Sequence, residues 1–265
     1  MANEYAVNQA DLTAVADAIR EKGGTSDALE FPGGFADAIG AIQAGGDSDD
    51  LVDLISRTLT RINNDKLTKV GEGALSNCTL LETVNLPNVE ILGGSSFAGC
   101  TSLKTVNLPK VTTFTGGYVF NNAVISGNLV LEQLAKIGKI DYVFRNISAH
   151  KITFPKLESI EGQAFRWTPA GKLNIIDTYA CTRITVACFN STSVPHFLLR
   201  ANSVCVLDTL NAGLVNVYVP STLIEEYKVA TNWVDLYTDN PDLFHALEEY
   251  TVDGTIDGEF DESKI

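Results

Sequence analysis

The chain is poor in the residues that announce chemistry. Histidine occurs three times in 265 residues, as His150, His196 and His245, far apart and never in a HExxH-type spacing, so no metal-hydrolase motif is present. Cysteine occurs five times, an odd number, and no pair stands at CxxC or CxC spacing. Neither a disulfide framework nor a zinc site is indicated, and folding in a reducing compartment fits best. No apolar run approaches the roughly 18 residues of a membrane span. The opening MANEYAVNQADL has neither a basic nor an apolar signal region, so the expectation is a chain without membrane insertion or a secretion signal. Gly-Gly pairs at 23–24, 33–34, 45–46, 93–94 and 116–117 are not followed by Lys-Ser or Lys-Thr at P-loop spacing and read as turns and helix stops. No G-x-S-x-G elbow occurs, no carboxylate pair is singled out, and no cofactor is implied. The prediction is a protein that is not an enzyme.

What is there suffices for a core. Hydrophobic residues make up 45% of the chain and charged residues 20%, which excludes collagen, mucin and wholly disordered classes. The net charge of −14 is unevenly spread: ten acidic and two basic residues fall in 1–50, eleven and fifteen in 51–210, and twelve and two in 211–265. An acidic protein repels phosphate backbones, so nucleic acid is not an expected partner.

Self-similarity sets the architecture. Residues 75–87 read LSNCTLLETVNLP and residues 97–109 read FAGCTSLKTVNLP, at an offset of 22. One apolar ladder continues as Leu86, Leu108, Leu131, Phe154, Ile176, Leu199 and Val219. A second runs Leu75, Phe97, Phe120, Phe144, Phe165 and Phe189. A unit of 22–23 residues is too small to bury its own apolar side chains and must stack on its neighbours. Within a unit, two short alternating stretches such as Thr105–Leu108 and Val111–Phe114 read as strands, with no room for a long helix.

The string CTSLKTVNLPKVT at 100–112, followed by Phe120, resembles the BspA-like leucine-rich repeat. The resemblance covers about 59–238 and is strongest at 61–120; Glu132, Asp177 and Arg200 replace the repeat's proline. It implies a β-rich leucine-rich-repeat solenoid over 59–220. Residues 221–249 are predicted to be capping helices, similar to those that close such solenoids. There Thr222 with Glu225 fits a capping box, and Leu223, Tyr227, Ala230 and Val234 fall on one helical stripe. The stretch NPDLFHALEEY suggests another helical turn or two through Leu243, Phe244 and Leu247. Residues 250–265 read as a solvated acidic tail, with a strand-turn element around Asp253-Gly254 and Asp257-Gly258 as the alternative.

Ahead of the repeats, 1–46 is predicted to be a small α-helical module. Asn8 caps a helix with Leu12, Val15, Ala16 and Ile19 on one face, and Phe35, Ile39 and Ile42 follow Pro32. Residues 47–58 read as a linker and an N-terminal capping helix. The words DLTAVADAIREKGGT and FPGGFADAI resemble the N-terminal segment of tail-associated and other minor structural proteins of tailed bacteriophages. That resemblance implies a virion component assembled in the host cytoplasm. Its N-terminal face, Leu12, Val15, Ile19, Phe35 and Ile39, would meet other virion proteins or copies of the chain. A bacterial cell-surface adhesin with the same repeat is the alternative, and a carbohydrate-active enzyme the third.

A surface remains as the candidate site. Side chains flanking a buried rung line up from coil to coil, so Thr83, Asn85, Thr105, Asn107, Asn128, Lys151 and Thr153 are expected to form a polar strip able to hydrogen-bond a host surface protein or glycan; alternatively, they only keep an exposed sheet soluble. Trp167, in a turn after the Phe165 rung, is the aromatic candidate for an exposed contact. Cys78 and Cys100 occupy equivalent rungs and, with Cys181, Cys188 and Cys205, read as buried packing.

Overall fold

The computed structural model describes residues 57–138, 142–185, 188–189, 191–208 and 213–265. Leu12, Val15, Ile19, Phe35 and Ile39, and the helices expected around them, lie outside the described residues. The chain divides into two compact units, Met1–Leu59 and Thr60–Ile265. The second is a parallel β-solenoid of about eight turns.

Each coil gives one strand to each of two faces. Numbered along the chain, the first face holds β1 (Arg61–Asn63), β3 (Thr83–Asn85), β5 (Thr105–Asn107), β7 (Val124–Val130), β9 (Ser148–Phe154), β11 (Leu173–Thr178), β13 (Val194–Leu199) and β15 (Leu214–Val219). The second holds the two-residue strands β2 (Lys69–Val70), β4 (Ile91–Leu92), β6 (Thr113–Phe114), β8 (Lys136–Ile137), β10 (Ser159–Ile160), β12 (Arg183–Ile184) and β14 (Val206–Leu207). Every strand pairs in parallel with its counterpart one coil away. The first face is interrupted between β5 and β7, where an isolated bridge joins Leu103, just ahead of β5, to Ile125.

Between the faces runs the column that holds the coils together. Phe97, Phe120, Phe144, Phe165 and Phe189 stack in single file, with ring centroids 5.3, 5.6, 4.9 and 5.5 Å apart and planes within 17° of parallel. All five are fully buried. Phe154 meets Phe144 and Phe165 edge-on, which ties the column to the sheet. Glycine matters where coils touch most closely: a Cβ on Gly116 would lie 2.8 Å from the Gly94 Cα, and one on Gly93 would lie 2.4 Å from the Glu72 nitrogen.

The other ladder departs from the sequence reading at one rung. Leu86, Leu108, Leu131, Phe154, Leu199 and Val219 are buried as expected. Phe154 pairs with Thr178, however, and Thr178 with Leu199, while Ile176 belongs with Ile152 and Phe197. The coil is longer by two residues than the even spacing assumed. Its rung position carries a threonine whose hydroxyl donates to the Leu198 carbonyl at 2.9 Å. The same slip moves Asp177 off the proline position and onto the outer face of the sheet, where its neighbours in register are Thr153 and Leu198.

The C-terminal closure also differs from expectation. Two short helices, α1 (Ile224–Val229) and α2 (Trp233–Asp239), replace the single stripe, and Val234 is partly exposed because the break at 230–232 turns it away. No side-chain capping box forms at Thr222; instead the Glu248 carboxylate accepts from the Ser221 amide at 2.9 Å and its hydroxyl at 3.0 Å. Tyr227 and Trp233 are buried against Cys205 and Phe244. The Tyr227 hydroxyl accepts from the Cys205 amide at 2.8 Å, and the Trp233 indole donates to the Cys205 carbonyl at 2.6 Å. Phe244, expected to be helical, lies in a strand, β16 (Phe244–Ala246), added in parallel to β15; Leu247–Tyr250 is a 3-10 turn.

Residues 250–265 are not a solvated tail. Thr251 bridges Phe260 in antiparallel fashion, and the segment folds back over the outer face of β11, β13 and β15. Phe260 and Leu247 pack with Ile175, Leu198 and Tyr218 in a second core, joined by Tyr250 and Ile256. Beneath it, Arg200 and Asp177, both with fully buried side chains, pair at 2.6 Å, and Lys151 reaches the other Asp177 oxygen at 2.9 Å. Arg200 also donates to the Ile256 and Gly258 carbonyls, so one guanidinium fastens the segment to the sheet.

Two outcomes test this packing. Phe120→Ala opens a void in the middle of the ring column and should cost about 3–5 kcal/mol, read from urea unfolding. Arg200→Met leaves the buried Asp177 short of its main partner and should cost about 3–5 kcal/mol, with faster amide exchange across 250–265.

Candidate functional site

The predicted polar strip exists in part. Thr83 pairs with Thr105 and Asn85 with Asn107 in register. The asparagines form a hydrogen-bonded ladder that starts one coil earlier than the sequence reading placed it: Asn107 Nδ2 donates to Asn85 Oδ1, and Asn85 Nδ2 to Asn63 Oδ1, each at 2.6 Å. These amides largely satisfy one another. The ladder then stops, because β5 and β7 are not laddered and a bulge between Ile125 and Asn128 shifts the register. Asn128 is exposed and faces Lys151. Lys151 is drawn to Asp177, and Thr153 is half-buried beside Asp177 in register, so the strip does not continue through them.

The same fold-back gathers histidines that are remote in sequence. His196 Nδ1 lies 2.8 Å from the Tyr218 hydroxyl, the His245 ring stacks on Tyr218 at 5.0 Å, and His150 meets Glu262 at 2.8 Å. His245 Nε2 is also 2.8 Å from Asn216 Oδ1. Burial lowers the affinity of both His196 and His245 for a proton. All five cysteines are buried. Burial pushes the Cys188 thiol up to about 12, and Cys205 is raised by its hydrogen bond with Cys181 together with burial. Such thiols stay protonated near neutrality and are poor nucleophiles. Among the described residues, no group of three or more His, Cys, Asp or Glu could hold a metal ion, and no helix is long and apolar enough to cross a membrane.

Trp167 stands in a group that the sequence reading did not assemble. Two turn columns adopt left-handed backbone in successive coils. Two residues before the phenylalanine rung stand Gly73, Ser95, Tyr118 and Tyr142, with φ between 55 and 65°. Two residues after it stand Asn77, Gly99, Asn122, Asn146, Trp167 and Ser191, with φ between 50 and 71°. Glycine and asparagine suit this conformation, whereas a bulky side chain is strained in it. Three aromatic residues nevertheless occupy these positions in successive coils, and their rings meet: Tyr118 lies 5.1 Å from Tyr142, and Tyr142 stacks on Trp167 at 5.8 Å and 8°. Tyr118 is 38% and Trp167 41% exposed.

Two arginines complete the group. Arg145 and Arg166 occupy one column, immediately after Phe144 and Phe165. Their guanidinium carbons lie 4.6 and 4.4 Å from the Trp167 ring and 6.0 Å from the Tyr142 ring, within cation–π range. Arg166 also donates to Tyr142 Oη at 3.4 Å and to Gln163 Oε1. Neither guanidinium forms an ion pair among the described residues. Their Nε–H groups are buried with no acceptor. Reading the repeat by column would have found this group: the substitutions of Tyr for Gly or Ser, and of Arg for Ala98 or Asn121, are visible once the rungs are aligned.

The family model for the BspA type leucine rich repeat region matches in six copies, over residues 56–140 and 127–223. None of the curated proteins matches the chain.

The histidines give a pH dependence of defined sign. A folded-state pKa below the unfolded value of 6.5 means that the unfolded chain binds protons first, so stability is full above pH 6.5 and falls as the pH drops through it. The urea midpoint should be lower at pH 5 than at pH 8, and a His196→Gln/His245→Gln variant should show a smaller difference.

Proposed function

Because the chain belongs to the BspA-type leucine-rich-repeat family, whose solenoids suggest a repeat-based binding or adhesion role, we propose that it is a non-enzymatic binding protein displayed on a bacteriophage particle, with the solenoid as its ligand-contacting part. The observation that carries the binding role is the platform of Tyr118, Tyr142 and Trp167 with Arg145 and Arg166. Strained aromatic side chains in three successive coils contribute nothing to the buried column, and sites of that kind favour a contact with another molecule. The setting on a particle is supported by the N-terminal words DLTAVADAIREKGGT and FPGGFADAI, and the face of Leu12, Val15, Ile19, Phe35 and Ile39 would join the chain to other virion proteins or to further copies of itself. The repeat family favours a second reading, a bacterial cell-surface adhesin. Both readings have the solenoid meet a host surface protein or glycan, with no cofactor and no nucleic acid.

Antibodies raised against the full chain separate the settings. Decoration of purified phage particles from the source culture is the expected outcome. Decoration of the cells with none on particles would establish the adhesin, and the absence of both would overturn the proposal. Binding itself is read by adsorption of the labelled chain to intact bacteria, which should be saturable.

A further inference from the structure

We infer that the turns carrying Tyr118, Tyr142 and Trp167 are a site for an acidic polysaccharide, whose carboxylates are taken by Arg145 and Arg166. The inference rests on the binding role proposed above and specifies the ligand.

Geometry defines the ligand by what the platform offers. The three rings already lie against one another, Tyr118 tilted on Tyr142 and Tyr142 stacked on Trp167, so little side-chain freedom is lost on binding. Both guanidinium groups lie against one indole with no carboxylate partner among the described residues. Two like charges against one ring repel each other, and an anion shared between them relieves that repulsion. Planar forks match carboxylates in bidentate fashion. A pyranose ring adds what a simple anion lacks: an apolar C–H face for the exposed parts of Tyr118 and Trp167, and hydroxyl groups for the tyrosine oxygens.

Two other polymers fit less well. A peptide that joins a sheet edge needs free main-chain groups, but these turns already donate to the next coil: Phe120 to Val143, Asn122 to Arg145, Phe144 to Ala164 and Phe165 to Cys188. A duplex nucleic acid brings about one charge per 1.7 Å of axis toward a chain of net charge −14. The segment 51–210, with eleven acidic and fifteen basic residues, tolerates an anion of lower charge density.

The test uses the full chain with oligomers of hyaluronan, alginate and polysialic acid, followed by calorimetry and tryptophan fluorescence. The chain has two tryptophans and Trp233 is fully buried, so Trp167 reports contact. Saturable binding with a fluorescence change is expected for at least one of these oligomers and not for dextran of equal length. Arg145→Gln/Arg166→Gln and Trp167→Asn should each weaken it tenfold or more. Asparagine is the residue of Asn122 and Asn146 in the same column, so Trp167→Asn keeps or raises the urea midpoint and separates lost contact from lost fold. Failure of all three oligomers, or equal binding of polyglutamate or an oligonucleotide, would overturn the inference. If these variants still adsorb to bacteria as the unaltered chain does, the polysaccharide site is wrong and the binding role stands. If the unaltered chain adsorbs to no bacterium, the role itself fails.

Discussion

A chain that climbs by one strand spacing per coil, about 4.8 Å, places each side chain directly on its counterpart from the coil before. That distance also suits parallel rings in contact, and the phenylalanine column meets it at 4.9–5.6 Å. The interior therefore accepts like on like, and each coil depends on two neighbours to cover its apolar side. The same rule acts outside the core, where Asn63, Asn85 and Asn107 pass hydrogen bonds along the column. It governs the backbone too, since Gly93 and Gly116 stand where adjacent coils have no space for a side chain.

Stacking also explains how a binding surface can arise on a fold with few chemically distinctive residues. A turn position repeats with every coil, so a single exceptional residue is isolated, but exceptions in successive coils become neighbours. Tyr118, Tyr142 and Trp167 show this, since each departs from the Gly, Ser or Asn that other coils use, and together they make a continuous aromatic surface. Arg145 and Arg166 follow the same logic one column away.

The period, the phenylalanine file and the Thr-Val-Asn strands were legible because each depends on identity at a fixed spacing. The Ile176 rung was misread because the coil after Phe154 carries two extra residues, and an isoleucine at the regular spacing masked a threonine at the true one. Arg200 and Asp177 were read as replacements for proline, since nothing local shows that residues 256–258 return to cover them. Acidic composition argues for a solvated tail, whereas three residues, Tyr250, Ile256 and Phe260, decide its position. Trp167 was legible as a single exposed aromatic. Its partners were not, because no linear motif joins them and the signal lies in vertical columns.

The fold-back of the last residues has a mechanical consequence. The terminal coil of a repeat array has a neighbour on one side only, and fraying ordinarily begins there. Here the chain's end is buttoned to Arg200 after β13, through it to Asp177 on β11, and on to Lys151 on β9. A pull on the C terminus is thereby shared among several coils before any one of them peels away, and that end of the column resists unzipping.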